Sequence, residues 1–426
     1  MKPISFSRRD FLKSTAAVSA ATVLSQASAL YAAGPEKIRL ALVGCGGRGN
    51  GALNDCINAA KYLNIPVEIV ALADHFKDRA LKTAEQHGLS PDICFDGPTG
   101  YKKVMESIAD VVLLVTPPAF RPTQFEAAIN AGKHVFMEKP VAVDAPGARK
   151  IIEVGEIAKQ KKLCVVAGTQ RRYAANYRRT KFAIEQGALG PILGGAVYWC
   201  GGKLWHQERQ NGESDADYMV RNWVSFTEMS GDHIVEQHIH NIDIANWFIG
   251  RTPKLAIGFG GRARRKTGNQ FDFFNVDFDY DEGCRIHSMC RQINGCYNQV
   301  SELFTGSNGT TYGTGPVKLI KAVDLKYPDY EQANGSEMVQ EHVELLRGVI
   351  DGKPINAAKD VAESTLTAIM GRISAYTGQL VRWRDLTDAS SNSPWYNLKL
   401  TPGSEEFENG TVKAPADDVI AIPGQA

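Results

Sequence analysis

The apolar positions of this chain switch repeatedly between two periods. Ile38-Arg39-Leu40-Ala41-Leu42-Val43 is a short apolar run of strand type, and Ala52, Leu53, Cys56 and Ile57 follow at helical spacing. Val67 to Ala73 is a second strand-type run, ending on Asp74. The pattern continues with a helix over Lys77 to His87, stopped by Gly88, and a strand within Ile108 to Val115. A helix over Pro122 to Ala131, a strand over His134 to Met137, a helix from about Pro146 to Lys161 and a strand over Leu163 to Ala167 complete the half. Strands alternating with helices predict an α/β fold with a doubly wound parallel sheet, in which ligands lie outside the carboxyl ends of the strands. Thr116, Lys139 and Arg171 all fall at such ends.

Between the first strand and first helix stands Gly44-Cys45-Gly46-Gly47-Arg48-Gly49, which fits G-x-G-x-x-G. In that setting Gly44 permits a tight turn, Gly46 lets the backbone approach a pyrophosphate, and Gly49 lets helix and strand pack closely. The helix start offers free N–H groups and a positive dipole end to phosphates. Strand, glycine turn, helix, strand and acid together predict an NAD-binding Rossmann domain. Asp74 at the tip of the second strand favours NAD over NADP, because a carboxylate accepts from ribose hydroxyls and repels a 2′-phosphate. Its competing role is a helix cap, and His75, Lys77 and Arg79 close behind it soften the preference.

The second half is patterned differently. From Lys254 to about Ile320, short alternating runs such as Asp277-Phe278-Asp279-Tyr280 predict antiparallel strands with Gly turns, and Glu337 to Ile350 and Val361 to Tyr376 read as amphipathic helices. Between Ser230 and Gly250 the spacing predicts one helix, with His233, Glu236, His240 and Asp243 stepping by three, four and three and so sharing a face. A buried polar stripe is costly unless used, so this face is expected to line a cleft. Tyr198, Trp199, Lys203, Trp205, His206, Arg221, Asn222 and Trp223 precede it, a mixture suited to a sugar's apolar face and hydroxyl rim. Arg171 and Tyr173, just past a sheet strand, are better placed for that task. His233, Glu236 and His240 are also legal metal ligands, but they lack the H-E-x-x-H arrangement, so no metal is expected.

Ser7-Arg8-Arg9-Asp10-Phe11-Leu12-Lys13, the mildly apolar stretch Thr15 to Leu30 and the small residues Ala27-Ser28-Ala29 resemble a twin-arginine export signal with its cleavage site. That route carries folded proteins, so a periplasmic location and cofactor loading before export are expected. The chain has 48 basic and 47 acidic side chains, of which four and one lie in residues 1–29; nothing in the remaining 44 and 46 recommends nucleic acid. No other run of about 20 apolar residues suggests a span. The eight cysteines form no C-x-x-C pair; Cys284, Cys290 and Cys296 recur every six residues, too far apart for a zinc cluster.

The glycine turn, Thr116-Pro117-Pro118, Ala131-Gly132-Lys133-His134-Val135, Glu138-Lys139-Pro140-Val141-Ala142 and the stretch Gly231 to Gly250 together resemble the Gfo/Idh/MocA family. The resemblance implies a Rossmann domain followed by an α/β domain with a large open, mostly antiparallel sheet, and NAD(P)-dependent oxidation or reduction of sugars, cyclitols and their derivatives. It implies that Lys139 is a catalytic donor to the substrate oxygen, fixed by a proline often preceded by a cis bond. It also implies an acid, three residues, then a His; here these are Glu236 and His240, with Glu replacing the commoner Asp. His240 is then the general acid/base and Glu236 orients it or contacts the sugar. A structural Lys139 paired with Glu138 is the alternative.

The expected organisation is a signal over 1–29, a nucleotide domain over 36–170, a substrate domain over 171–387 and an extended arm over 388–426, lying on the body or on a neighbouring subunit of a homo-oligomer. The nucleotide site is assigned to the glycine-turn residues Gly44, Gly46, Gly47, Arg48 and Gly49, to Asp74, and to Thr116, Pro117, Glu138 and Lys139. Substrate contacts are assigned to Arg171, Tyr173, Trp223 and Asp243. The expected activity is oxidation or reduction of a sugar or glycoside hydroxyl with a tightly held, internally recycled cofactor. The alternative is an NAD-dependent glycosidase or lyase that oxidises, eliminates and re-reduces.

Overall fold

The computed structural model describes residues 37–314, 317–416 and 419; the export signal and its cleavage site lie outside them, as does the end of the arm. Strands β1 (Ile38–Val43), β2 (Val67–Asp74), β3 (Cys94–Asp96), β4 (Val111–Leu114), β5 (His134–Met137) and β6 (Val165–Ala167) form a parallel sheet in the order β3-β2-β1-β4-β5-β6. Both faces are covered by helices, which is why these strands are almost wholly apolar rather than alternating. The order reverses between β1 and β4, and the crevice at that switch point is where the glycine turn lies.

The second sheet has β7 (Ile192–Gly201), β8 (Leu255–Gly261), β9 (Phe273–Asp279), β10 (Arg285–Gln292), β11 (Gln299–Gly306), β12 (Gly309–Tyr312), β13 (Lys318–Leu319) and β14 (Val381–Arg382), in the order β13-β12-β11-β7-β10-β9-β8-β14. Among the described residues of this sheet only the β7–β10 pair is parallel. One face packs Val197, Phe274, Val276, Ile286 and Cys290 under the helices Ile239–Ile249 and Ala358–Thr377. The other face leaves Ile257, Phe259 and Tyr312 about half exposed or more. Cys296 lies beyond the end of β10 and is exposed, while Cys284 and Cys290 are buried; all eight cysteines are free thiols.

The helix Glu337–Ile350 folds back onto the first domain. Val339, Val343, Leu345 and Leu346 join the core built from β1 and the Gly47–Tyr62 helix. His342 on that helix is fully buried against Phe136, ring centroids 4.2 Å apart, and neither ring nitrogen has a partner among the described residues. Burial, helped by the Arg48 charge, holds its pKa down to about 3 against an ordinary 6.5. The unfolded chain therefore takes up this proton first, and the stability that rests on a neutral His342 is lost as pH falls from 6.5 towards 3. Replacing His342 with Phe removes two unpaired buried polar atoms and the titration together. Urea denaturation across that window is expected to show a more stable variant whose acid slope is shallower by one proton, ~1.4 kcal/mol per pH unit. An unchanged slope would mean that His342 is hydrated in the fold.

Candidate active site

The glycine turn is shaped by close approach. Gly44 has φ +101°, and a Cβ there would come within 2.6 Å of the Val115 carbonyl carbon; one on Gly49 would lie 1.7 Å from the Gly44 oxygen. Cβ atoms on Gly46 and Gly47 would meet nothing within 4 Å, so they would project into open space at the mouth of the turn. The Gly47–Tyr62 helix begins there with no side-chain cap and no acid in its first turn, so its leading N–H groups remain available to an anion. Asp74 accepts from the Cys45 N–H at 2.7 Å and the Phe76 N–H at 2.9 Å, with no capping contact to the helix that follows. Burial raises its pKa, and the two N–H donors pull it back. A carboxylate has about four acceptor positions, so two such bonds leave room for ribose hydroxyls. The turn, Asp74, Thr116, Pro117 and Trp223 line one cleft of about 790 Å³, roofed from the second domain by Trp205, Trp223, Val220 and Arg221. The open cradle, the uncapped helix start and the placed carboxylate fit a dinucleotide.

Behind this cleft a buried cation ties two strand ends together. Arg121 donates to the Thr116 carbonyl at 2.5 Å, the Thr116 hydroxyl at 3.2 Å and the Glu138 carbonyl at 3.1 Å. Its burial lowers its pKa to about 10. Arg121 carries no signal in the sequence, since an Arg opening a helix after Pro118 belongs to no motif; only the fold shows that it staples β4 to β5. Glu138 is equally committed: Arg48 donates to it at 2.6 Å and it lies against Gly168, where a Cβ would sit 2.5 Å from its oxygen.

Lys139, with a cis peptide to Pro140, turns the other way. Its ammonium donates to the Glu236 carbonyl at 2.7 Å and the Glu236 carboxylate at 3.0 Å, so its partner is Glu236 and not the Glu138 side chain. This contact explains the principal departure from the sequence reading. The single helix expected over 233–250 is two, His233–Glu236 and Ile239–Ile249. In a continuous helix the Glu236 carbonyl would accept from the His240 N–H. Here it accepts from Lys139, and the His240 N–H turns to Gln237 at 3.3 Å.

The break separates the four polar side chains. His233 bonds Asp232 at 2.9 Å and packs on Phe274. Asp243 points to the far side, held by both arms of Arg172 at 2.9 Å and by the Ser364 hydroxyl at 2.7 Å. The shared-face expectation is therefore corrected: only Glu236 and His240 stay beside Lys139, and among the described residues no three His, Cys, Asp or Glu side chains are placed to hold a metal. Tyr173 is buried in the first domain's core beneath Arg178.

His240 is stacked on Trp199, centroids 5.5 Å apart and planes 23° apart, and the Arg171 guanidinium lies 5.7 Å from the same Trp ring. Burial first, then the charges of Lys139, Arg171 and Arg48, holds His240 well below the ordinary imidazole range, so it is neutral near pH 7. Arg171 pairs with Glu302, a buried carboxylate that also accepts from the Asn241 amide at 2.7 Å and the Tyr177 hydroxyl at 3.2 Å. Glu302 lay in an ordinary strand pattern, and nothing in its spacing marks it. An ammonium on a carboxylate next to a neutral, oriented imidazole, beside a dinucleotide cradle, is equipped to move a proton at an alcohol oxygen.

A family model described as an oxidoreductase family with an NAD-binding Rossmann fold matches residues 38–169, and one for the twin-arginine translocation signal matches residues 5–25. The chain is similar to an inositol 2-dehydrogenase of Burkholderia vietnamiensis, 30% identical over 272 residues, 58% of this chain and 71% of that one. It is 28% identical over 212 residues to an inositol 2-dehydrogenase of Pseudomonas syringae pv. syringae, covering 50% of this chain; it spans about half, 54%, of that relative's length. A solved levoglucosan dehydrogenase, complexed with NADH and levoglucosan, shares the fold at TM-score 0.64 and 14% identity over 81% of this chain and 99% of its own. With both sheets, the glycine turn and these relatives in view, the chain belongs to the Gfo/Idh/MocA family, whose first domain is an NAD-binding Rossmann fold.

Proposed function

We propose that this protein is an NAD-dependent oxidoreductase that acts on a hydroxyl of a sugar or glycoside in the periplasm and keeps its cofactor bound between half-reactions. The observation that carries this reading is the Lys139–Glu236 pair beside neutral His240, at the strand ends that border the dinucleotide cleft. NAD supplies the hydride acceptor. The residues of the glycine turn and the helix start would hold its phosphates, and Asp74 its ribose. His240, neutral and stacked, receives the hydroxyl proton at a ring nitrogen. Lys139 donates to the same oxygen and stabilises the alkoxide charge that develops there. Glu236 fixes the Lys139 ammonium through two acceptors, and Trp199 fixes the ring plane of His240. Incubating the purified holoprotein with a panel of sugars and cyclitols, and following nicotinamide absorbance, tests the reading; a protein with bound nucleotide that no member reduces or oxidises would overturn it.

The exposed Ile257, Phe259 and Tyr312 on the open sheet support a homo-oligomer paired through that face. The cofactor preference has its own test. Asp74→Ala is expected to weaken NAD binding by about 10–150-fold and to narrow its advantage over NADP, because a hydrogen bond to a charged group contributes ~1.5–3 kcal/mol and the repulsion of a 2′-phosphate is removed with it. Fluorescence titration of the two nucleotides reads both changes. A native protein that carries NADP would show that Asp74 serves only the Cys45 and Phe76 N–H groups.

A further inference from the structure

Three cations surround the candidate reaction centre, and each already has a carboxylate. Lys139 is held by Glu236, Arg48 by Glu138 at 2.6 Å and Asp55 at 3.1 Å, and Arg171 by Glu302. The carboxylate of the last pair is the most deeply set. Glu302 is 3% exposed, and Asn241 and Tyr177 add two donors to it. Arg171 also stands in the wall of a second cleft of about 630 Å³, with Gln170, Asn176, Tyr177, Thr314 and Gln332. In this lining the other cation, Arg179, is exposed to solvent, where its charge is screened, and Glu337 shares the same lining.

We infer that the substrate is uncharged where it meets Arg171: the Arg171–Glu302 pair selects a neutral polyol or sugar and rejects sugar acids. This rests on the oxidoreductase reading above. A ligand carboxylate could take Arg171 only by leaving Glu302 buried without its cation, and it would then lie beside that like charge. A pair of neighbouring hydroxyls meets no such conflict. A guanidinium has five N–H donors, so Arg171 can keep Glu302 and still donate to a ligand hydroxyl oxygen. Selectivity of this kind comes from what the site refuses as well as from what it holds.

The test compares matched neutral and acidic ligands on the holoprotein: glucose with glucuronate, and galactose with galacturonate. Calorimetry reads affinity and nicotinamide absorbance reads turnover. Wild-type protein is expected to bind the neutral member of each pair at least about ten-fold more tightly, the scale set by stranding one buried charge. Glu302→Gln keeps the shape and an acceptor for Tyr177 but removes the charge, and it is expected to gain at least about ten-fold in affinity for the uronates. Uronates that bind wild-type protein as tightly as their neutral partners, or a Glu302→Gln protein with no gain for uronates, would overturn the inference. Neutral ligands that bind with this selectivity yet leave the nicotinamide unchanged would keep it and remove the oxidoreductase reading instead.

Discussion

Lys139→Ala should lower kcat by roughly 10² or more, the usual scale for losing a positioned acid/base group or oxyanion donor. The nucleotide should remain bound, because the glycine turn and Asp74 do not depend on the Lys139 side chain. Loss of a fold element would also lower kcat, so the pH profile supplies the discriminating readout. His240 is held well below 6.5 by burial and, next in size, by the Lys139 charge. In the wild-type enzyme the acid limb of kcat is therefore expected well below pH 6.5, since His240 stays neutral, and able to accept a proton, until the pH drops to its depressed pKa. Removing the Lys139 charge lets that pKa rise, so the residual activity of Lys139→Ala should fall off at a higher pH than the wild type. His240→Ala should lose the limb altogether. Near wild-type turnover in Lys139→Ala would take Lys139 out of the mechanism; an unmoved acid limb would separate the limb from His240.

Five of the six strands of the first sheet could be read from the chain because their signals are local: each is a largely apolar run, and the glycine turn declares the crevice. The edge strand β3 and the helix Gly100–Glu106 could not, because three residues, Cys-Phe-Asp, and a seven-residue helix carry too little periodicity. The 233–250 helix could not, because its break has a non-local cause: the Lys139 ammonium, 97 residues earlier, takes the Glu236 carbonyl. Periodicity placed Glu236 and His240 on one face, and the fold still brings both to Lys139, but it sends Asp243 to Arg172 and His233 to Asp232. The partners that set the electrostatics of the site are invisible for the same reason. Glu302 and Arg121 are single charged residues in unremarkable local patterns, and their importance lies in a cation or a carbonyl contributed by another element. The helix Glu337–Ile350 was found by its period, yet only packing shows that it completes the first domain rather than the second.

Protein purified without added nucleotide should carry near-stoichiometric NAD(H), and loosening the C-terminal arm should release it. On the proposed periplasmic reading the protein works where free nicotinamide nucleotides are scarce, so a dehydrogenase that discharged NADH at each turnover would stall. Retention requires slow dissociation, and differences in affinity between related complexes lie mostly in the off-rate. Contacts across the walls of the cleft support this expectation. His75, beside Asp74, bonds Asp217 of the second domain at 2.6 Å. The arm's short helix Ser404–Asn409 sets Phe407, 2% exposed, edge-on to Phe120 at 4.9 Å, and Phe120 lines the cleft. Glu408 accepts from the hydroxyl of Tyr101, another lining residue, at 2.8 Å and pairs with Lys102, and the Ala414 N–H reaches Asp215 at 3.2 Å. The arm thus braces the nucleotide wall and the roof helix Asp215–Arg221 together. Truncating a buried Phe to Ala typically removes ~3–5 kcal/mol of packing. If half of that is spent holding the roof shut, Phe407→Ala should speed nucleotide release by about 10–60-fold, a factor of ten being 1.4 kcal/mol. Mass spectrometry after denaturation measures occupancy, and stopped-flow displacement measures the rate. Mostly apo wild-type protein, with activity that depends on roughly millimolar added NAD, would refute retention and make the enzyme an ordinary dehydrogenase. Full occupancy with an unchanged off-rate in Phe407→Ala would keep retention but assign it to Trp205, Trp223 and the His75–Asp217 contact alone.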